Sequence, residues 1–308
     1  TSVTITMQLH QLIANSQAAF EAANLVYGHG TTNARDEAIW LVLWRLDLQL
    51  DIDINEPQYA ERELTADEVL SVDTLIEERI TTRKPAAYLT QQAWLQGVSF
   101  YIDERAIVPR SFIAEALAYG HIDDWLPTLP KRVLDLCTGN ASLAILSALA
   151  YPDAHVDAAD IDALALEVAA INVTQHAMTA RISLHTSDGL AHVPGGYDLV
   201  VCNPPYVNQT SMQALPAEYL AEPTLALAGG LDGMDFIRPM MAAMPAVLND
   251  GGALVLEIGF EREHFERAFP NLNPIWLPTS AGDDLVLLLT KDMFDTHLPV
   301  LQEPTPTT

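Results

Sequence analysis

The chain has 308 residues, 49% of them apolar, which is enough for one large or two ordinary domains with a substantial core. Its 41 acidic residues against 15 basic ones give a net charge of −26. That balance excludes a basic footprint for duplex DNA; it suits a basic protein partner, whose opposite field speeds encounter, and it also serves plain solubility.

Residues 7–83 read as helical. "MQLHQLIANSQAAFEAANLVY" carries apolar residues at helical spacing. "NARDEAIWLVLWRLDL" opens on Asn33 as an N-cap. "LTADEVLSVDTLIEERI" has Thr65 and, three residues on, Glu68, a capping-box pattern. Together they predict a small helical bundle, ended by Lys84-Pro85. In "WLQGVSFYIDERAIVP" (94–109), two β-rich runs flank a turn-like "DER", which predicts a hairpin at the joint between domains. A helix is expected from Ser111. From Lys131 onward strand and helix patterns alternate, which implies a mostly parallel sheet covered on both faces. The last two strand patterns, "PIWLP" and "DLVLLLT", are close enough in sequence to form an antiparallel edge pair. "LPVLQEPTPTT" reads as a disordered tail.

Cys137 and Cys202 sit in apolar runs and announce no disulfide framework; Cys137 reads as a packed small side chain. The histidines show no metal-ligand spacing with the cysteines, so no metal is expected. With no signal-peptide pattern and no membrane-length apolar segment, a soluble cytoplasmic protein without a membrane partner is expected.

The first strand of the α/β part ends in "DLCTGNAS", a tight turn leading into a helix, where backbone N–H groups can approach a ligand. The next strand ends at Asp160, about twenty residues on, where a carboxylate can accept from ribose hydroxyls. The third is followed by "TSDG", with Asp188 at the same sheet edge; taken alone, Asp188 reads as a helix N-cap rather than a ligand contact. A dinucleotide fingerprint wants three glycines, whereas here Gly139 stands between Cys137 and Ala141. If Ala141 has φ > 0 it costs of order 1 kcal/mol; if it opens the helix it is harmless, and the second case is the expected one.

A fourth strand pattern ends in "LVVCNPPYVN". The residue before a proline is pushed toward extended backbone, so Asn203 is delivered at the sheet edge. Pro204 and Pro205 stiffen the turn and offer carbonyls without N–H groups. The Asn203 amide oxygen and the Pro204 carbonyl become fixed acceptors, with Tyr206 as an aromatic wall. Such a site suits a planar –NH2 group, which donates two hydrogen bonds. A rigid turn with a locally capping Asn is the plainer reading of the same residues.

"DLCTGNASLAI", "DAADID" and "NPPYV", in that order, resemble the S-adenosylmethionine-dependent methyltransferases that modify amino groups. The helical N-terminal region and "VPRS" narrow the resemblance to the protein-(glutamine) methyltransferases, the HemK-like family. It is closer still to the branch that methylates ribosomal protein L-three of the large subunit. That likeness is carried by residues 27–38, 85–90, 100–111 and 215–238. The resemblance implies a Rossmann-like class I methyltransferase domain, a mostly parallel seven-stranded sheet with an antiparallel edge, preceded by a small helical bundle. It implies a helical substrate-recognition domain over 1–93, a hairpin linker over 94–110, the methyltransferase domain over 111–292 and a disordered tail over 293–308. The cofactor would be S-adenosylmethionine, leaving as S-adenosylhomocysteine. It would be held by Asp135, Thr138, Gly139, Asn140, Ala141, Asp160, Ile161, Ser187, Asp188 and Asn203. Asn203, Pro204 and Tyr206 would be the catalytic set. Pro205 and Arg110 would join them in binding the substrate, although a simple interdomain ion pair accounts for Arg110 as well. His29 reads as a packing histidine. The partner would be a basic ribosomal protein. The rivals are the glutamine of a peptide release factor, a DNA adenine methyltransferase, which the charge opposes, and a non-catalytic assembly factor with the same fold.

Overall fold

The computed structural model describes residues 6–297; the "LPVLQEPTPTT" segment lies outside them. The chain opens with β1 (Met7–Gln8), α1 (Leu9–Ala22), α2 (Ala34–Arg45), α3 (Pro57–Ala60), β2 (Glu63–Leu64), α4 (Ala66–Thr82) and α5 (Ala86–Thr90). Leu9, Leu12, Ile13 and Phe20 of α1, Ala34, Ala38, Leu41 and Val42 of α2, and Val72, Leu75 and Ile76 of α4 share one core. Spacings of three and four place each set on one helix face, which is why these segments pack as a bundle. The Asn33 side chain caps α2 by accepting from Asp36 N at 2.9 Å, and the Thr65–Glu68 capping box opens α4. Pro85 does not end the helical part. It sits at the N-cap of α5, where the missing N–H has no intrahelical partner to lose.

β3 (Gln92–Leu95) and β4 (Val98–Tyr101) form the hairpin, with Leu95 opposite Val98. Its turn is Gln96-Gly97 and not the expected 103–105. Both turn residues have positive φ, +49° and +74°, the arrangement that matches the twist of a two-residue hairpin. Asp103 instead folds its own loop back, its Oδ1 accepting from Arg105 N at 3.1 Å.

There follow α6 (Ile113–Ala118), β5 (Arg132–Leu136), α7 (Ser142–Ala150), β6 (His155–Asp160), α8 (Ala163–Gln175), β7 (Ile182–Thr186) and β8 (Tyr197–Cys202). Then come α9 (Gln209–Gln213), α10 (Ala217–Leu220), α11 (Ile237–Val247), β9 (Leu248–Glu257), α12 (Arg262–Ala268), β10 (Ile275–Thr279), β11 (Gly282–Thr290) and α13 (Lys291–His297). Residues 293–297, expected in the tail, belong to α13, and Phe294 is buried in the core.

Among the described residues seven of the strands form one sheet in the order β10-β11-β9-β8-β5-β6-β7. It is parallel except at β11, which runs against both β9 and β10. The reversed strand thus lies one place in from the edge. Strand residues alternate between two cores: Val133, Leu199, Val201 and Val255 face one side with α6, α7 and α8. Leu134, Val200, Cys202 and Leu254 face the other with α11, α12 and α13. The central strands β5 and β8 are buried on both faces, so they read as near-continuous apolar runs. β5 has β6 on one side and β8 on the other, so the strand order reverses beside it, and α/β sheets bind ligands at the carboxyl ends of such strands. Among the described residues no helix is long and apolar enough to cross a membrane.

Candidate active site

A cavity of about 350 Å³ lies at the carboxyl ends of β5, β6 and β8. Of the residues singled out in the sequence, Gly139, Asp160, Ile161, Ser187, Asp188, Asn203 and Pro205 line it, as does Cys137.

The β5–α7 turn takes its shape from three alternate residues with positive φ: Cys137 at +61°, Gly139 at +56° and Ala141 at +66°. This is the backbone of a three-glycine turn, built with glycine at its centre alone. The expectation that Ala141 opens the helix is therefore corrected: it is the left-handed N-cap of α7. Its methyl is fully buried in the core and lines no part of the cavity, so it takes no ligand space. Thr138 N extends the parallel ladder to Ala159 O at 3.0 Å. Asp160 Oδ2 accepts from Gly139 N at 2.9 Å, and its Oδ1 from Asp162 N at 3.0 Å. Asp160 therefore braces the turn as well as facing the cavity, and burial raises its pKa.

Asp135, Thr138 and Asn140 lie beneath the turn rather than on the cavity wall. Thr138 Oγ1 donates to Asp135 Oδ2 at 2.6 Å, while Asp135 Oδ1 is buried without a partner. Burial pushes the Asp135 carboxyl up to about 7. Asn140 Oδ1 accepts from Ser142 N at 3.2 Å, standing in for a helix cap. Contact with Cys202 and burial both raise the Cys137 thiol, as befits a packed, protonated side chain. Ser187 Oγ donates to Gly189 O and accepts from His192 N, which fixes the loop after β7. No helix follows Asp188; it is exposed in a turn at the cavity, which removes the N-cap reading.

β8 ends at Cys202, and Asn203 follows at once. Asn203 Oδ1 is buried and has no hydrogen-bond partner. A buried acceptor left unpaired costs about 1–3 kcal/mol, so Asn203 Oδ1 is a candidate to meet a donor that the chain itself does not supply. Pro204 is buried, and Tyr206 stands behind the cavity wall rather than on it. Its ring packs on Gly259, where a Cβ would lie 2.5 Å from Tyr206 Cε2, and its backbone packs on Gly229, where a Cβ would lie 2.8 Å from Tyr206 Cα. The Tyr206 hydroxyl donates to Glu257 Oε1 at 3.3 Å, and Ser111 Oγ donates to Glu257 Oε2 at 2.5 Å. Burial raises the Tyr206 phenol, so it stays protonated. Val207 bridges Ala228, which ties the turn to the segment that returns over the sheet edge.

Arg110 does not reach the cavity. Its guanidinium pairs with Glu222, Nη1 to Oε2 at 2.7 Å and Nη2 to Oε1 at 3.0 Å. His29 Nε2 meets the same carboxylate at 2.8 Å and Val108 N donates to it at 3.0 Å. Arg110 thus makes an ion pair, and His29 a buried hydrogen bond, with the same carboxylate.

A family model described as the methyltransferase small domain matches residues 121–230. A ribosomal protein uL3 glutamine methyltransferase of Bordetella pertussis is 50% identical, over 94% of this chain and 96% of its own length. One of Burkholderia pseudomallei is 48% identical, over 94% and 96%. The chain belongs to the ribosomal protein uL3 glutamine methyltransferase family. Among solved structures, the hMettl16 catalytic domain in complex with a MAT2A 3'UTR hairpin matches 82% of this chain and 90% of its own at a TM-score of 0.52, with 16% identity. That likeness speaks for the α/β methyltransferase fold alone.

Further parts of this methyltransferase's cavity wall come from segments outside the strand ends. Arg105, Ala106 and Ile107 arrive from the linker, and Pro223, Leu225, Ala226, Ala228, Asp235 and Phe236 from the segment after Tyr206. Both stretches stood out as hallmarks of the resemblance, but no local spacing says that they fold over one sheet edge. Among the described residues no cluster of His, Cys, Asp or Glu is placed to hold a metal ion.

Proposed function

We infer that this chain transfers a methyl group from S-adenosylmethionine to the side-chain amide nitrogen of a glutamine in ribosomal protein uL3. The observation that carries the reading is the buried, partnerless Oδ1 of Asn203, next to a cavity of ligand size at the strand-order reversal. A glutamine –NH2 group is the donor that this acceptor lacks. Family membership supports the methyl donor and the acceptor protein.

The residues present fit the cofactor. The Gly139 turn would hold its methionine part, Asp160 its ribose hydroxyls, and Ile161, Ser187, Asp188 and Phe236 the surroundings of its adenine. When bound, it supplies a methyl group on a positively charged sulfur, an excellent leaving group. Asn203, with the Pro204 carbonyl, would grip the amide hydrogens and favour a more pyramidal, more nucleophilic nitrogen. Rate comes from orientation and from electrostatic matching to the transition state. No strong base is required, because the amide proton is lost after transfer. The protonated Tyr206, held by Glu257, anchors the turn from behind the cavity wall. The helical part over 1–93 and the acidic surface would engage the basic acceptor.

Methylation of purified uL3 tests this. Wild type is expected to label one glutamine, and Asn203→Ala to lower kcat about 100-fold or more with cofactor binding retained. No product from wild type, or undiminished product from Asn203→Ala, sinks the reading. Preferential labelling of a release factor would move the substrate.

A further inference from the structure

A second cavity, also about 350 Å³, lies where the helical bundle meets the hairpin and its linker. His29, Asp36, Trp40, Trp94, Val108 and Pro109 are among its walls. It adjoins the first cavity along the chain: Arg105, Ala106 and Ile107 line the first, and Val108 and Pro109 line the second. Between them stands Glu222, bound to His29, Val108 N and Arg110, with Pro223 already on the wall of the first cavity. The stretch 105–109 thus lines both cavities in turn.

The walls of the second cavity favour one kind of side chain. Trp40 and Trp94 meet edge to face with centroids 5.6 Å apart, and Trp94 is 38% exposed, too open for a ring that only fills a core. The Asp36 carboxylate is exposed at the same cavity. His29 apart, whose Nε2 is taken by Glu222, no lining residue is basic. Aromatic faces and a carboxylate attract a cation, and the apolar wall of Ile39 and Leu50 suits an aliphatic stem. The net charge of −26 draws in the same kind of partner.

We propose that this cavity is a subsite for a lysine or arginine side chain of the protein substrate, close in sequence to the glutamine. It rests on the function inferred above and adds what selects the substrate. Trp94→Ala removes an exposed ring. Asp36→Asn removes the charge but keeps an oxygen for the bond that Asn33 Nδ2 donates at 2.8 Å.

The test uses the full chain and purified uL3, with steady-state methylation, anisotropy of labelled uL3 and calorimetry of S-adenosylmethionine. Each variant is expected to raise both KM and Kd for uL3 about 5- to 20-fold, with kcat at saturation and cofactor affinity unchanged. A merely structural role would lower kcat and cofactor affinity as well, and that outcome overturns the proposal. So does a KM and Kd for uL3 unchanged in both variants. Wild type that binds uL3 without methylating it would sink the inferred function, and the anisotropy of the variants would still decide the subsite. Wild type that neither binds nor methylates uL3 would sink both.

Discussion

Ala141 holds φ at +66° with its methyl in the core that α7 packs on. A left-handed L-residue costs about 1–2 kcal/mol, and a buried methyl returns about 0.8 kcal/mol. Ala141→Gly exchanges one for the other and is expected to change stability by less than about 1 kcal/mol in urea unfolding. Ala141→Val adds β-branching to a strained φ in a filled space and is expected to cost about 2 kcal/mol or more; a valine variant as stable as wild type refutes the strain. Asp135 carries a pH signature. Burial lifts its folded pKa to about 7, against about 3.9 when unfolded. Between those values the folded chain holds a proton that the unfolded chain has lost, so this group adds stability as pH falls from 8 to 5. Asp135→Asn, neutral throughout, is expected to be more stable than wild type at pH 8 by about 1–3 kcal/mol and to show a flatter profile. Parallel profiles of the two proteins in urea titrations at pH 8 and 5 would rule this out.

At the scale of elements, α10 and the turn after it work as a clasp. Glu218 and Glu222, four residues apart, are both buried. Glu218 pairs with Arg79 at 3.5 Å and Arg83 at 3.3 Å and accepts from Val26 N at 3.1 Å, which binds the segment to the bundle. Glu222 gathers His29, Val108 N and Arg110, which binds it to the linker. Burial by itself would raise both carboxyls, but these donors outweigh it and hold both below the usual range. Their stabilisation is present at neutral pH and is lost as pH falls through the depressed values. Glu222→Ala leaves Arg110 without its charge partner and is expected to cost about 3–5 kcal/mol. Because Pro223 and Leu225 are cavity walls, cofactor affinity should fall with it. Thermal unfolding and calorimetry check both; an unchanged melting temperature would dismiss the clasp.

For the whole molecule, the net charge of −26 predicts a salt-dependent encounter with a basic partner. With a Debye length of about 10 Å at 0.1 M salt, raising NaCl from about 50 to 300 mM is expected to increase KM for uL3 about fivefold or more while kcat holds. A KM indifferent to salt would mean that the acidity serves solubility alone.

How much of this was legible depends on range. Helix faces, caps and strand alternation repeat within a few residues, so the bundle, the alternating α/β part and the antiparallel last pair could be read in order. So could Gly139, Asp160 and Asn203, because a strand's end fixes the edge at which its next residue appears. The hairpin turn was misplaced because Gln96 adopts a positive φ that its side chain does not advertise; the register of β3 against β4 requires it. Ala141 was misread for the same reason, since the φ of the turn is set by the ladder below and the helix above. Arg110 was decided by its pair with Glu222, 112 residues on, Arg105 by its pair with Glu167, and the walls from 223–236 by the bridge between Val207 and Ala228. By itself the sequence determined the architecture, the sheet edge at which the cavity lies and the Asn203 amide on its wall. Tertiary structure alone decided which residues close the cavity and which carboxylates clasp it, because those depend on long-range packing that leaves no periodic trace along the chain.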